Sequence, residues 1–305
     1  MGNYRYLMIY FSCFAMIFSL LDMIVQPYVH SIGKCFVVVS KIGVFGELGC
    51  FVLLCALCGC FGVTITFFAI HFMYRFFALE RRGRLRFFNN SYLPLWFILP
   101  ILVGTLWGTL VFIYLGPNKP TSQYIEASIY EDYELHLNEV TYMGALYFYR
   151  DNTPNLKHFT GTFLLCVIMF VSFSIVLQYG LGSFILIRQL LKNEGESKYS
   201  RNLQSQLYQA LVIQSCFPLF LMYTPVSVYF IVPIFGLDIQ EFSRCITFIY
   251  ALYPAIDPLP IIFIIDNYRF AVFKLFHICE SRNRIEEVYN APTETCNTAS
   301  PCMNN

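Results

Sequence analysis

Charge is scarce in this 305-residue chain: Asp, Glu, Lys and Arg make up 13% of it, against 57% hydrophobic residues. A soluble domain carries about a quarter charged residues to cover its surface, so much of this surface faces something other than water. Sustained apolar/polar alternation over roughly ten positions, which a membrane β-barrel requires, is also missing. Helices are then the way to satisfy backbone groups in lipid. HExxH, GxSxG and P-loop patterns do not occur, and His30, His71, His136, His158 and His277 are scattered. With no catalytic set, no enzyme activity, cofactor, metal or nucleic-acid partner is expected. A net charge of +1 carries no information about acidic partners.

The twelve cysteines do not form a zinc pattern. Cys55, Cys58 and Cys60 lie in one apolar run, LLCALCGCFGVTITFFAI, without the further ligands a four-coordinate site needs. They read as small packing residues in a helix. Cys35 and Cys50 form a candidate disulfide pair. The first apolar segment lacks a small-residue cleavage site, so it reads as a span and not a signal peptide.

The apolar residues fall into blocks of about 20 or more, enough to cross roughly 30 Å of hydrocarbon. Six spans are predicted, at about 6–29, 48–70, 92–115, 159–187, 207–235 and 242–265. The expected fold class is an all-α integral membrane bundle over 1–289, with a disordered Thr/Asn/Pro-rich tail at 290–305. Fourteen of the 20 basic residues gather on one side. They include Arg75, Arg81, Arg82, Arg84 and Arg86 after the second span, and Arg188, Lys192, Lys198 and Arg201 after the fourth. The positive-inside rule makes that side cytoplasmic; Lys34 and Lys41 mildly oppose it.

Residues 116–158 then lie outside. This segment interleaves Glu126, Glu131, Asp132, Glu134, Glu139 and Asp151 with Tyr124, Tyr130, Tyr133, Tyr142, Tyr147 and Tyr149. A connection this long is commonly functional; it reads equally as a cap over a ligand pocket or as a solvated cover. Six spans with a cytoplasmic C-terminus put the N-terminus inside too. One further helix before Met1 would restore the seven-helix count.

Several residues invite a mechanism. Tyr74-Arg75, at the cytoplasmic edge of the second span, reads either as a snorkelling arginine or as a switch that frees Arg75 for a cytoplasmic partner, with Arg81 and Arg82 beside it. The sixth span carries Pro254, Asp257, Pro258 and Pro260. Each proline removes a helix hydrogen bond and a mid-membrane carboxylate is costly, so this reads as a kink around a polar cavity, or as a purely structural kink. Pro218, Pro225 and Pro233 interrupt the fifth span similarly, and such kinks suit a two-packing switch. Depth and polarity make Asp22, Gln26, Gln178 and Tyr229 the candidate ligand contacts. Interhelical hydrogen bonding is the competing role for Asp22 and the plainer one for Gln178 and Gln214. Cys279, after the amphipathic stretch NYRFAVFKLFHI, is a palmitoylation candidate.

At these residues the sequence resembles the nematode serpentine chemoreceptors, in particular class r (Str) and the related class j (Srj) group. The resemblance runs almost end to end, through GNYRYLMIYFS, HFMYRFFAL, LQSQLYQALVIQ and ALYPAIDPLPIIFIIDNYR. It implies a G-protein-coupled receptor fold, a heterotrimeric G protein as partner, and an odorant or pheromone-like small molecule as ligand. It also implies a multi-pass place in the plasma membrane of sensory neurons, in their cilia. The spans would match family helices two to seven, so that GNYRYL follows the first. Arg75 would occupy the arginine position at the end of helix three, and Asp257-Pro258 the region of the helix-seven proline motif. Tyr74 departs from the acidic residue usual before that arginine. Residues 116–158 contain no Cys, so the disulfide that tethers the second outer loop in rhodopsin-like receptors cannot form. A transporter or channel using Asp22 and Asp257 as ion sites is the alternative, without the inverted repeats such proteins often show. A truncated, non-signalling receptor fragment is a further one.

Overall fold

The computed structural model describes residues 4–80, 84–89, 91–192 and 219–237, and the single positions 248, 263, 269, 270 and 274. Helix α1 (Tyr4–Val25) ends earlier than the expected first span. Gln26 takes a left-handed φ of 46° and Pro27 has no N–H to continue the ladder. Residues 28–29, expected inside the span, open strand β1 (Tyr28–Ile32), which returns as β2 (Cys35–Lys41). Only Gly33 and Lys34 separate the paired Ile32 and Cys35. Gly33 has φ +50°, the sign that two-residue hairpins require at their first central position.

Helix α2 (Gly46–Glu80) is 35 residues long and runs ten residues past the expected end at Ile70. Tyr74 and Arg75 are therefore inside this helix, not at its end. A 3-10 turn (Arg84–Phe88) leads to α3 (Leu93–Tyr114), close to the expected 92–115. Helix α4 (Lys119–Tyr133) follows, capped by Asn118, whose Oδ1 accepts from Thr121 N at 3.0 Å. Strand β3 (Val140–Leu146) leads to α5 (Leu156–Lys192), which extends the expected 159–187 at both ends. A π-helical turn (Leu219–Tyr223), helix α6 (Thr224–Ile231) and a 3-10 turn (Val232–Phe235) form the later part of the expected 207–235. Residues 207–218 lie outside the described residues, as does the expected 242–265 apart from Phe248 and Phe263, both helical and exposed.

Among the described residues, α2, α3 and α5 are long and apolar enough to cross a membrane; Ile9–Val25 and Phe220–Phe235 are shorter apolar helical stretches. Large apolar side chains point outward along these helices, including Met16, Leu20, Ile101, Leu102, Phe163 and Phe170. A belt of that kind marks contact with another apolar phase, here lipid. Helix α2 packs against α1, α3 and α5. Its approach to α3 runs over glycines: a Cβ on Gly59 would sit 2.8 Å from the Gly104 carbonyl oxygen, and one on Gly108 3.0 Å from that of Cys55. Small residues let membrane helices approach this closely. Ser172 Oγ donates to Ile65 O at 2.7 Å and lies 2.7 Å from the Tyr223 hydroxyl, tying α2, α5 and the π turn together.

The strands form one antiparallel sheet in the order β1-β2-β3. Side chains alternate along β2: Phe36 joins the main helical core, while Cys35, Val37 and Val39 pack with Ile125 and Ile129 of α4. Burial on both faces explains the unbroken apolar run CFVVV. The segment 116–158 is thus a folded lid of α4 and β3. Glu126, Glu131 and Glu134 are exposed on it, whereas Tyr142 and Tyr147 are buried. One face of the lid is thus buried and the other exposed. Cys35 and Cys50 do not pair. Cys35 lies on the α4 side of the sheet, and Cys50 Sγ accepts from Gly43 N at 3.2 Å.

Candidate functional site

Chain connectivity brings the ends of α1, α2, α3 and α5 to the sheet. Beneath it the helices enclose a cavity of about 210 Å³. On α1 the lining residues Phe11, Phe14, Phe18 and Asp22 are three or four positions apart and so share a helix face, with Ala15 beside Phe14. Leu57, Cys58, Phe61 and Thr64 form the corresponding stripe on α2, and Trp107 and Val111 face them from α3. Leu165 of α5 and Met222, Pro225, Val226, Tyr229 and Phe230 of the last described helical segment complete the wall.

The sheet supplies the roof through Val29, Phe36, Val38 and Met143. Phe36 meets the Tyr229 ring edge-on at 5.6 Å and the Phe230 ring at 5.3 Å. Tyr147, whose ring is 6.1 Å from that of Phe36, donates its hydroxyl to Phe230 O at 2.8 Å. Burial pushes the Tyr147 hydroxyl well above the usual phenol range, so it stays a donor at neutral pH. Tyr142 is held similarly, its hydroxyl donating to Asn118 O at 3.1 Å and lying 2.7 Å from Ser122 Oγ. Below α4, His30 Nε2 lies 2.9 Å from Ser128 Oγ and 3.7 Å from Asp132; this cluster fixes the lid and does not reach the cavity.

Few polar groups occur among the described lining residues. Thr64 Oγ1 is committed to Cys60 O at 2.8 Å, and Asp22 is the single carboxylic acid among them. Asp22 and Tyr229, expected from sequence as ligand contacts, both line it. Gln26 does not: it is exposed at the α1 stop, and Pro27 lines the cavity beside it. Gln178 is also no lining residue; it lies on an exposed face of α5. Pro225, expected as a kink residue, stands two positions after the π turn, in the first turn of α6, and lines the cavity.

At the opposite end of α2, Tyr74 is buried edge-on against Phe88 at 5.0 Å, and Arg75 is half-buried. Phe88 stacks on Trp96 at 4.5 Å, and Trp96 Nε1 donates to Phe87 O at 2.8 Å, folding the 3-10 turn against this helix end. Arg81, Arg82, Pro254, Asp257, Pro258, Pro260 and Cys279 lie outside the described residues. No cluster of three or more metal-ligating side chains occurs among the described residues.

Sequence reasoning passed over Phe14, Phe18, Phe36 and Trp107. The signal for the first two was present: Phe14, Phe18 and Asp22 recur every four residues, which stacks them on one face.

Residues 1–273 match the family model for the serpentine type 7TM GPCR chemoreceptor Str. The chain is 29% identical over 298 residues to the serpentine receptor class r-10 of Caenorhabditis elegans, covering 94% of this chain and 85% of that one. It is 32% identical over 285 residues to the G-protein coupled receptor str-217 of the same nematode, covering 92% and 82%. To the C. elegans serpentine receptor class J-38 it is 23% identical over 271 residues, covering 88% and 82%. No solved structure matches the chain. A multi-pass membrane protein of receptor type and not of an enzyme class, this chain belongs to the Str family of serpentine seven-transmembrane chemoreceptors.

Proposed function

We propose that this chemoreceptor binds a small environmental molecule in the cavity beneath the β-sheet and signals to a heterotrimeric G protein at the opposite, arginine-rich end. One observation carries the reading: a largely apolar cavity is roofed by side chains of the lid and walled by α1, α2, α3 and α6. Pockets of this kind, apolar with few polar groups, are the usual form of small-molecule sites. The lid faces the outside and the basic end the cytoplasm, in keeping with the positive-inside rule. The receptor resides in the plasma membrane of sensory neurons, in their cilia.

Ligand acts through a difference in affinity between two helix packings. The π turn before Pro225 and the Ser172–Tyr223–Ile65 junction supply the place where the packing changes. Arg75, with Arg81 and Arg82 beyond it, meets the G protein; Asp257 and its neighbouring prolines form the second pivot, and Cys279 is the palmitoylation site.

The test is expression in a cell line with a G-protein activation reporter and a panel of small volatile and water-soluble molecules. At least one molecule is expected to activate, with the response lost in Arg75→Ala at unchanged surface level and weakened when Ala15→Trp fills the cavity. A receptor that answers no member of the panel, or answers equally with Ala15→Trp, overturns this reading. Ion flux in reconstituted vesicles that disappears with Asp257→Asn would instead mark a transporter or channel.

A further inference from the structure

The chemistry of the cavity wall selects among small molecules. Asp22 stands one helical turn above Phe18 and two above Phe14, on the stripe of α1 that faces the cavity. Its carboxylate makes no hydrogen bond or ion pair with another described side chain; His30–Asp132 and Arg84–Glu80 are ion pairs between described residues elsewhere. No Lys, Arg or His is found among the described residues that line the cavity. Thr64, the hydroxyl-bearing lining residue of α2, is already bonded to its own helix. The rest of the described lining is apolar, aliphatic and aromatic together, with Phe18, Phe61, Trp107 and Tyr229 on the helices and Phe36 in the roof.

A carboxylate in this position has two chemical fates. Unpaired, it holds a proton to avoid a charge in a poorly hydrated wall; with a cationic ligand beside it, it ionises and gains a counter-ion. Aromatic rings favour the second fate because their faces attract cations, Trp most strongly. Among the described residues, an apolar, aromatic-rich wall with one carboxylate and no basic side chain attracts positive charge and does not favour a carboxylate or phosphate ligand. The cavity volume of about 210 Å³ suits a molecule of roughly benzene size or somewhat larger.

We propose that the cavity takes a small organic cation, a protonated alkyl- or arylalkylamine, with Asp22 as its counter-ion and the aromatic wall around its apolar part. This rests on the cavity being the ligand site. Binding draws the cation and the Asp22 carboxylate together while the proton Asp22 carried is released to solvent. Neutral molecules of the same shape lose this pairing and bind less tightly.

The test uses the purified receptor in lipid nanodiscs and reads its melting temperature against probe concentration. Butylamine is compared with butanol, and phenethylamine with phenethyl alcohol, on the wild type and on Asp22→Asn, Asp22→Glu and Ala15→Trp. Each amine is expected to stabilise the wild type at concentrations about tenfold or more below its alcohol. Asp22→Asn, of nearly the same shape, removes that preference, Asp22→Glu keeps it, and Ala15→Trp abolishes binding of both classes. Equal potency of amine and alcohol on the wild type, or a preference that survives in Asp22→Asn, overturns the assignment of a cation. In that event alcohol binding lost only in Ala15→Trp still identifies the cavity as the ligand site. If no probe stabilises the wild type, the cation assignment and the ligand site fall together.

Discussion

The Tyr147 hydroxyl donates to the Phe230 carbonyl oxygen across 2.8 Å, joining the loop after β3 to the helix that forms one wall of the cavity. The contact links the lid to the one described segment that contains both a π turn and a proline in its first helical turn. Tyr147→Phe keeps the ring packing against Phe159, 4.9 Å away, and removes the hydroxyl with its bond to Phe230 O and its 3.3 Å contact with Thr162 Oγ1. Leaving a buried carbonyl unpaired costs about 1–3 kcal/mol. The variant is expected to melt several degrees lower in nanodiscs, with faster hydrogen exchange around residues 224–235. Unchanged exchange there would show that the lid and α6 are not coupled through this bond.

The same hydroxyl gives the lid an alkaline limit. Burial raises the folded-state pKa of Tyr147 and of Tyr142 above the ordinary value of 10.0. A raised pKa in the folded state contributes stability that is fully present below pH about 10 and is lost as pH climbs from there toward the folded values. A tyrosinate absorbance titration is expected to show a late, cooperative phase that coincides with loss of structure. Its amplitude should shrink in Tyr147→Phe with Tyr142→Phe. Early, fully reversible titration of all tyrosines would contradict the burial.

Ser172 serves two partners with one oxygen, donating to Ile65 O and accepting from Tyr223. Groups that share a network do not contribute additively. Ser172→Ala and Tyr223→Phe are expected to show a coupling of about 0.5–1.5 kcal/mol in a double-mutant cycle of thermal stability. Simple additivity would mean that the two hydroxyls do not bond each other.

Between α2 and α3 the neighbours of an added methyl are partly backbone and cannot swing aside. A Cβ on Gly104 overlaps Val63 Cγ2 and comes 2.8 Å from Gly59 O. Gly104→Ala is expected to destabilise by about 1–3 kcal/mol. Gly180→Ala, where the nearest atoms are Phe72 ring carbons at 3.5 Å, should be close to neutral. Comparison of the two by melting in nanodiscs separates close packing from a general effect of glycine replacement.

Cys35 is fully buried in the upper core, and that burial pushes its thiol far above its ordinary range. Thiolate is the reactive form, so maleimide is expected to label Cys35 only after denaturation. Peptide mass spectra taken without reductant should show Cys35 and Cys50 as separate thiols. A Cys35–Cys50 cross-linked peptide would refute the geometry of the sheet.

The long apolar helices were legible because their signal is length and composition, and α3 falls within a residue of its expected bounds at each end. The strands were not. β1 and β2 follow a helix that reads as continuous with them, since Tyr28 and Val29 are as apolar as the span before them; Gln26-Pro27 marked the stop, and Gly33 the hairpin. β3 carries no simple alternation, because both faces of its partner β2 are buried and its own residues are buried throughout. In the cavity, Asp22 and Tyr229 were visible as polar groups at the right depth. Phe36 and Met143 were not, because they reach the cavity through the sheet. Gln26 and Gln178 had the same depth and polarity in their favour, but neither property says in which direction a helix face points.

In the sheet, β2 pairs with β1 directly but with β3 across roughly a hundred residues, Val37 lying opposite Gly144. A contact of that sequence separation forms late. During synthesis the hairpin must therefore stand with one strand edge open while α2, α3 and α4 are still being made. An open edge is a template for any passing strand, so the period before β3 arrives is when a nascent chain of this receptor most needs an escort.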